Sequence, residues 1–142
     1  MRLLISLLTL ALAGVACVQT GGTQRQADAN VSTSSDPSDA EKRASVRLEL
    51  AGGYFSRGQF STALDEIKLA LAAKPDMGAA YNMRGLVYAA MGEERLAEES
   101  FERAMTLNPR DADAMHNRAW FKCQRGQYDD ADRLFEQAIA TP

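Results

Sequence analysis

The chain has 142 residues, 16 basic and 19 acidic side chains, a net charge of −3 and one histidine. That length allows one folded domain at most, and a slightly acidic chain without a basic run is a poor match for nucleic acid. A single histidine makes neither a catalytic triad nor a metal cluster by itself.

The first element is apolar. Met1-Arg2 carries one positive charge, Leu3 to Ala16 carries none, and small residues (Ala13, Gly14, Ala16) crowd its end. This is the plan of a secretory signal peptide, residues 1–16, and it falls short of the roughly 20 apolar residues a spanning helix needs. A signal-anchor is the alternative. Cys17 follows directly, which resembles a bacterial lipobox, although Gly14 stands where a Leu-type residue is usual. In such a lipoprotein the cysteine is acylated (palmitate-type chains) and becomes the first mature residue. One acyl chain anchors marginally, whereas two or three hold. An ordinary signal with an incidental cysteine is the competing reading. Val18, rather than Asp, after the cysteine suggests sorting to the outer membrane, by analogy with Gram-negative lipoproteins. Loss of the signal removes Arg2 and leaves 15 basic against 19 acidic residues, a charge of −4.

Residues 17–40 form the second element, with Val18 to Ala40 reading VQTGGTQRQADANVSTSSDPSDA. Its Ser, Thr, Gln, Asp and Gly cannot bury enough apolar surface to offset ordering entropy, so a flexible linker is expected. Its ends would lie about 26 Å apart on average. It is either a tether for a lipid-anchored domain or a plain disordered N-terminus.

From residue 41 onward the sequence repeats with a period of 34: Gly58, Gly92, Gly126; Ala63, Ala97, Ala131; Ala70, Ala104, Ala138; Pro75 and Pro109. This period resembles that of the tetratricopeptide repeat. The resemblance implies an all-α helix-turn-helix solenoid, with repeats at about 44–77, 78–111 and 112–142. With the prolines at place 32, place 8 holds Ala51, Gly85 and Ala119, small enough for the paired helices to approach closely. Place 24 holds Ile67, Phe101 and Phe135, the wedge between repeats, and place 11 holds Tyr54, Tyr88 and Lys122. Glycine at place 15 ends the first helix of each pair and proline ends the second. Asp76 and Asp111 are expected to cap the helices that follow. The expected pairs are 44–57 with 61–74, 78–91 with 95–108, and 112–125 with 129–141. In 95–108, Leu96, Ala97, Phe101, Ala104 and Met105 share an apolar face. Glu94, Arg95, Glu98, Glu99, Glu102 and Arg103 share a face expected to be solvated. The chain stops inside the third repeat without a polar capping helix, so a truncated array is expected, with Phe135 and Ile139 lacking a neighbour.

Tetratricopeptide arrays bind partners mostly in a concave groove lined by the first helix of each pair. Transferred place by place, that groove holds Leu48 and Phe55, then Asn82 and Leu86, then His116 and Trp120. This lining is largely apolar, with Asn82 as a polar anchor, and lacks the Lys/Arg set that grips a C-terminal carboxylate. An apolar or extended peptide is the expected guest. Packing of Leu48, Leu86 and Trp120 against other repeats or another chain is the alternative. No Cys-x-x-Cys, Gly-rich phosphate loop or Gly-x-Ser-x-Gly occurs, and no catalytic constellation, cofactor or metal is expected.

The wording of "AYNMRGLVY" (Ala80–Tyr88), "LAEESFERA" (Leu96–Ala104) and "HNRAWFKCQRGQYDDA" (His116–Ala131) resembles the type IV pilus biogenesis and stability lipoproteins, the PilW/PilF-type pilotins. Arg118-Ala119 and Lys122 depart from the family's usual wording in the third repeat. The resemblance implies a lipoprotein anchored at Cys17 on the periplasmic face of the outer membrane of a Gram-negative bacterium. It implies about six repeats, of which this chain would hold the first half, and a later cysteine as the mate of Cys123. It also implies binding of secretin subunits, promoting their outer-membrane localisation and multimerisation, with no enzymatic activity and no small-molecule substrate. A generic periplasmic tetratricopeptide scaffold lipoprotein in cell-envelope assembly is the alternative. The docking arm of an enzyme with a downstream domain is a third.

Overall fold

The computed structural model describes residues 38–141. The apolar leader, Cys17 and the linker up to residue 37 lie outside the described residues. The rest forms three helix-turn-helix pairs: α1 (Asp39–Ser56) with α2 (Phe60–Ala73), α3 (Gly78–Met91) with α4 (Glu94–Leu107), and α5 (Ala112–Gln124) with α6 (Tyr128–Ala140). Successive pairs stack, so that α3 packs on α1 and α2, and α5 on α3 and α4. The described residues form an all-α tetratricopeptide solenoid.

The turns recur because the same residues impose the same backbone. Gly58, Gly92 and Gly126 have φ of 71°, 76° and 73°, a left-handed conformation that costs glycine nothing. Around each, an N–H reaches back over the helix end: Gln59 to the Tyr54 carbonyl at 3.0 Å, Glu93 to Tyr88 at 2.9 Å, and Gln127 to Lys122 at 3.0 Å. These close the terminal carbonyls of α1, α3 and α5. The ends of α2 and α4 are set by proline. Lys74 and Asn108 precede Pro75 and Pro109 and are extended, with φ −139° and −137°, because the proline ring disfavours a helical residue before it.

The start of α1 and the cap of α3 differ from the sequence expectation, while the other helix starts fall within one residue of it. Helix α1 begins at Asp39, five residues early, and takes Asp39 and Ala40 from the expected linker. Ser38 Oγ accepts from the Glu41 N–H at 3.1 Å, and Asp39 and Glu41 place negative charge in the first turn; both stabilise a helix N-terminus. Asp111 caps α5 as expected, accepting from the Ala114 N–H at 3.0 Å. Asp76 does not cap α3. Met77 holds that position, and Asp76 pairs with Lys74 Nζ at 3.3 Å. One repeat step carries Asp76 to Arg110 and Met77 to Asp111, so the two aspartates were never equivalent.

The small residues sit where the helices meet. Ala51, Ala63, Ala70, Ala97, Ala104 and Ala119 are fully buried, as are the wedges Ile67 and Phe101. One apolar cluster joins Ala51, Ala63, Ile67, Ala70, Ala80 and Val87 across the first two repeats. A second joins Ala97, Phe101 and Phe121 across the last two, with the two phenyl rings 5.7 Å apart.

The charged face of α4 is more than a solvated surface. Glu98 Oε1 receives Lys122 Nζ at 3.0 Å and Arg118 Nε at 3.1 Å, and Arg118 Nη2 also reaches Glu102 at 3.1 Å. These are mostly covered side chains: Glu98 is 25% exposed, Arg118 18% and Lys122 14%. Helix α5 lies across this part of α4 and turns an apparently external face into a polar junction. Arg118 and Lys122, the departures at the third repeat, are the cations that complete it.

Candidate functional site

The first helices of the three pairs expose one uncharged cleft. Phe55 of α1, Leu86, Ala89 and Ala90 of α3, and Trp120, Asn117, Phe121 and Gln124 of α5 surround it, with Phe101 of α4 at its floor. Its volume is about 200 Å³, below the range of pockets that enclose a drug-sized ligand. It suits side chains projecting from a longer segment.

The helical places put these residues there. Leu86 and Trp120 both occupy place 9, one repeat apart, so the contact of α3 with α5 sets them side by side. Phe55 reaches in from place 12 of the first repeat and is held by Phe60, with ring centroids 5.9 Å apart. Trp120 is 56% exposed. An aromatic side chain left open beside an uncharged cleft is the kind of residue that dominates binding energy at protein interfaces.

Three of the six expected groove residues, Phe55, Leu86 and Trp120, therefore share the cleft. The other three do not line it. Leu48 is half-buried against the cluster that holds Ala51 and Ile67. Asn82 is nearly buried, and its Oδ1 accepts from Asn117 Nδ2 at 3.2 Å. That hydrogen bond fixes the orientation of Asn117, which does line the cleft. His116 turns the other way: its ring meets the Phe135 ring edge-on, with centroids 5.4 Å apart, beside Ala112, Ala138 and Ile139.

Asn117 and Phe121 were missed by the transfer of groove places. They sit at places 6 and 10, on the flank of α5 that faces α3 and α4, and the stagger between neighbouring helices opens that flank to the cleft. Gln124 and Asn117 supply the polar groups, able to donate and accept hydrogen bonds from a peptide backbone. Cys123 is half-buried and makes no disulfide among the described residues. Among those residues no group of three His, Cys, Asp or Glu side chains could hold a metal ion.

Comparison with known proteins agrees with the repeat reading. Models of the tetratricopeptide repeat match residues 78–111 and 100–133. The chain is 28% identical over 139 residues to the type IV pilus assembly protein PilF of Pseudomonas aeruginosa, covering 97% of this chain and 51% of PilF. It is 31% identical over 91 residues to the photosystem I assembly protein Ycf3 of a Synechococcus, covering 57% of this chain and 53% of Ycf3. The chain thus spans about half the length of the curated relatives it matches. Among solved structures, P. aeruginosa PilF superposes with a TM-score of 0.70 at 23% identity, over 71% of this chain and 46% of that one. PilW, a widely conserved type IV pilus biogenesis factor, superposes with a TM-score of 0.65 at 27% identity, over 70% of this chain and 46% of that one.

Proposed function

We propose that this tetratricopeptide-repeat chain, similar to the type IV pilus biogenesis factors PilF and PilW, acts in type IV pilus biogenesis as a pilotin. It holds secretin subunits and promotes their outer-membrane localisation and multimerisation. The observation that carries this reading is the reach of the likeness to PilF. It runs over 97% of the chain and so includes the leader and linker stretch, whereas the likeness to Ycf3 covers 57%, less than the length of the three repeats.

The mechanism is mechanical. An acylated Cys17 fixes the chain to the periplasmic face of the outer membrane, the linker gives reach, and the cleft seats an apolar segment of the secretin. Phe55, Leu86 and Trp120 cover its side chains, while Asn117 and Gln124 satisfy its backbone. The cleft is already formed by packed helices, so binding costs little reorganisation. The array acts as a protein-interaction module, and no bond-making step is assigned to it.

Binding of the secretin subunit to the purified chain, followed through Trp120, tests the groove. The chain has one tryptophan, so burial of its exposed ring by an apolar segment shifts the emission to shorter wavelength. Trp120→Phe, as the blank, removes the signal, and Leu86→Asp weakens binding in a label-based assay. Full affinity in Leu86→Asp contradicts the site. The likeness to Ycf3, itself an assembly protein by name, supports a second reading: a scaffold lipoprotein serving another envelope assembly. Partners copurified from native membranes separate the two, since a scaffold of that kind returns no secretin.

A further inference from the structure

Two neighbouring repeats carry an arginine at place 7 and treat it differently. In the third repeat Arg118 donates to Glu98 and Glu102 of α4, places 21 and 25 of the repeat before it. In the second repeat Arg84 stands at the same place, but places 21 and 25 of α2 are Leu64 and Lys68. The carboxylates are gone and a further cation takes one of their positions. Arg84 turns instead to its own repeat. Its Nε donates to Ser100 Oγ at 3.0 Å, and Ser100, 1% exposed, donates in turn to the Leu96 carbonyl at 2.6 Å. The Arg84 guanidinium lies 4.7 Å from the centre of the Tyr81 ring, and Arg103 of α4 lies over the same ring at 5.7 Å. Tyr81 is itself held, its hydroxyl donating to the Pro75 carbonyl at 3.3 Å.

Among the described residues neither Arg84 nor Arg103 forms an ion pair. Two like charges therefore share one aromatic ring without a counterion, and an anion beside them removes their repulsion. Ser100 takes only the Nε proton, so the Nη groups of Arg84 stay open as donors. A guanidinium presented in this way pairs with a planar carboxylate. The ring and Ser100 already hold it in place, so little side-chain freedom is lost on pairing. We propose that Arg84 and Arg103, on the Tyr81 ring, dock an acidic segment of a partner protein, whose carboxylates do for Arg84 what Glu98 and Glu102 do for Arg118. Carboxylate is the assigned group because the same place, one repeat on, is paired with glutamates. Tyr81, Arg84, Ser100 and Arg103 all belong to the middle helix pair, and none of them lines the apolar cleft. The surface is thus separate from the one proposed for the secretin segment.

Fluorescence polarisation of a labelled oligoglutamate peptide with the full chain in mild detergent tests this, with labelled oligoglutamine as the blank. The chain carries a net charge of −3, so general attraction does not favour the acidic peptide. The parent is expected to bind oligoglutamate, more weakly as salt rises, and not oligoglutamine. Arg103 is exposed, so Arg103→Gln is expected to keep the parent's melting temperature while weakening binding about tenfold. Arg84→Lys, which keeps the charge and loses the fork, is expected to weaken it as well. Arg57→Gln removes an arginine stacked on a different ring, Tyr54, at the end of α1, and is expected to bind as the parent does. A parent that does not bind overturns the proposal, as does full binding by Arg103→Gln or an equal loss in Arg57→Gln. Displacement of the peptide by an equal concentration of inorganic phosphate overturns the carboxylate assignment in favour of a phosphorylated ligand such as a lipid headgroup.

Discussion

Gly85 of α3 faces Phe101 of α4 so closely that a β-carbon on Gly85 would lie 2.6 Å from Phe101 Cε1. The phenyl ring occupies the space a side chain would take and is itself fully buried. Place 8 holds alanine in the other two repeats, where the wedge is the smaller Ile67 or the only half-buried Phe135. Gly85→Ala therefore overpacks this site and is expected to destabilise the fold by about 1–3 kcal/mol despite its gain in helix propensity. Thermal denaturation checks this. Phe101→Leu in the same chain should recover part of the loss, so that the double variant is more stable than the sum of the two predicts. Strict additivity would mean that the contact is not the cause.

The junction of Glu98 with Arg118 and Lys122 is mostly covered, and Glu98 Oε2 is buried without a hydrogen-bond partner. Removing Glu98 takes away the carboxylate that Lys122 pairs with and leaves Arg118 only the more exposed Glu102. Glu98→Ala is expected to cost about 2 kcal/mol in urea denaturation. Asp130→Asn breaks the exposed pair with Arg133, whose side chains are 44% and 72% exposed, and should change stability by less than about 0.5 kcal/mol. Equal effects would show that coverage by α5 does not matter.

Ser38 closes the start of α1 through the Glu41 N–H. Ser38→Ala is expected to cost about 1 kcal/mol and to speed amide hydrogen exchange in the first turn of α1 while leaving α3 to α6 unchanged. Ser38→Asp, which can still accept that hydrogen bond, should restore protection.

Trp120 is the most exposed of the aromatic residues around the cleft, so its truncation separates binding from folding. Trp120→Ala is expected to leave the melting temperature within a degree or two. It should weaken capture of the partner segment by at least tenfold, about 1.4 kcal/mol, as for a central aromatic contact. A stable variant that binds normally would remove Trp120 from the interface.

The repeat was legible because each place answers a steric demand that only a few residues meet. Glycine permits the left-handed turn at Gly58, Gly92 and Gly126, and alanine permits the close approach at Ala63, Ala97 and Ala131. Proline stops α2 and α4. What the period could not show lies where one repeat meets the next. Glu98 reads as a surface residue on α4 because its partners, Arg118 and Lys122, stand a full connection away on α5. Asn117 reads as ordinary because places 6 in the three repeats, Glu49, Met83 and Asn117, share no chemistry. His116 was placed in the groove by its register alone, and the Phe135 ring draws it to the other side. The start of α1 was within reach: Ser-Asp-Ala-Glu at 38–41 is a capping sequence, hidden at the end of a Ser- and Asp-rich stretch. The likeness to the pilus lipoproteins rested on the wording around Tyr88, Phe101 and Trp120, two of them partly covered or buried against neighbours and one left open to a partner.

In the proposed pilotin role, the chain brings secretin to the outer membrane. Secretin multimer and monomer should be measured in separated inner and outer membranes of the native host, comparing the parent, Cys17→Ser and a deletion of the gene. The account predicts multimer lost, or stranded in the inner membrane, in both altered strains. Multimer unchanged in the outer membrane of the deletion strain would contradict it.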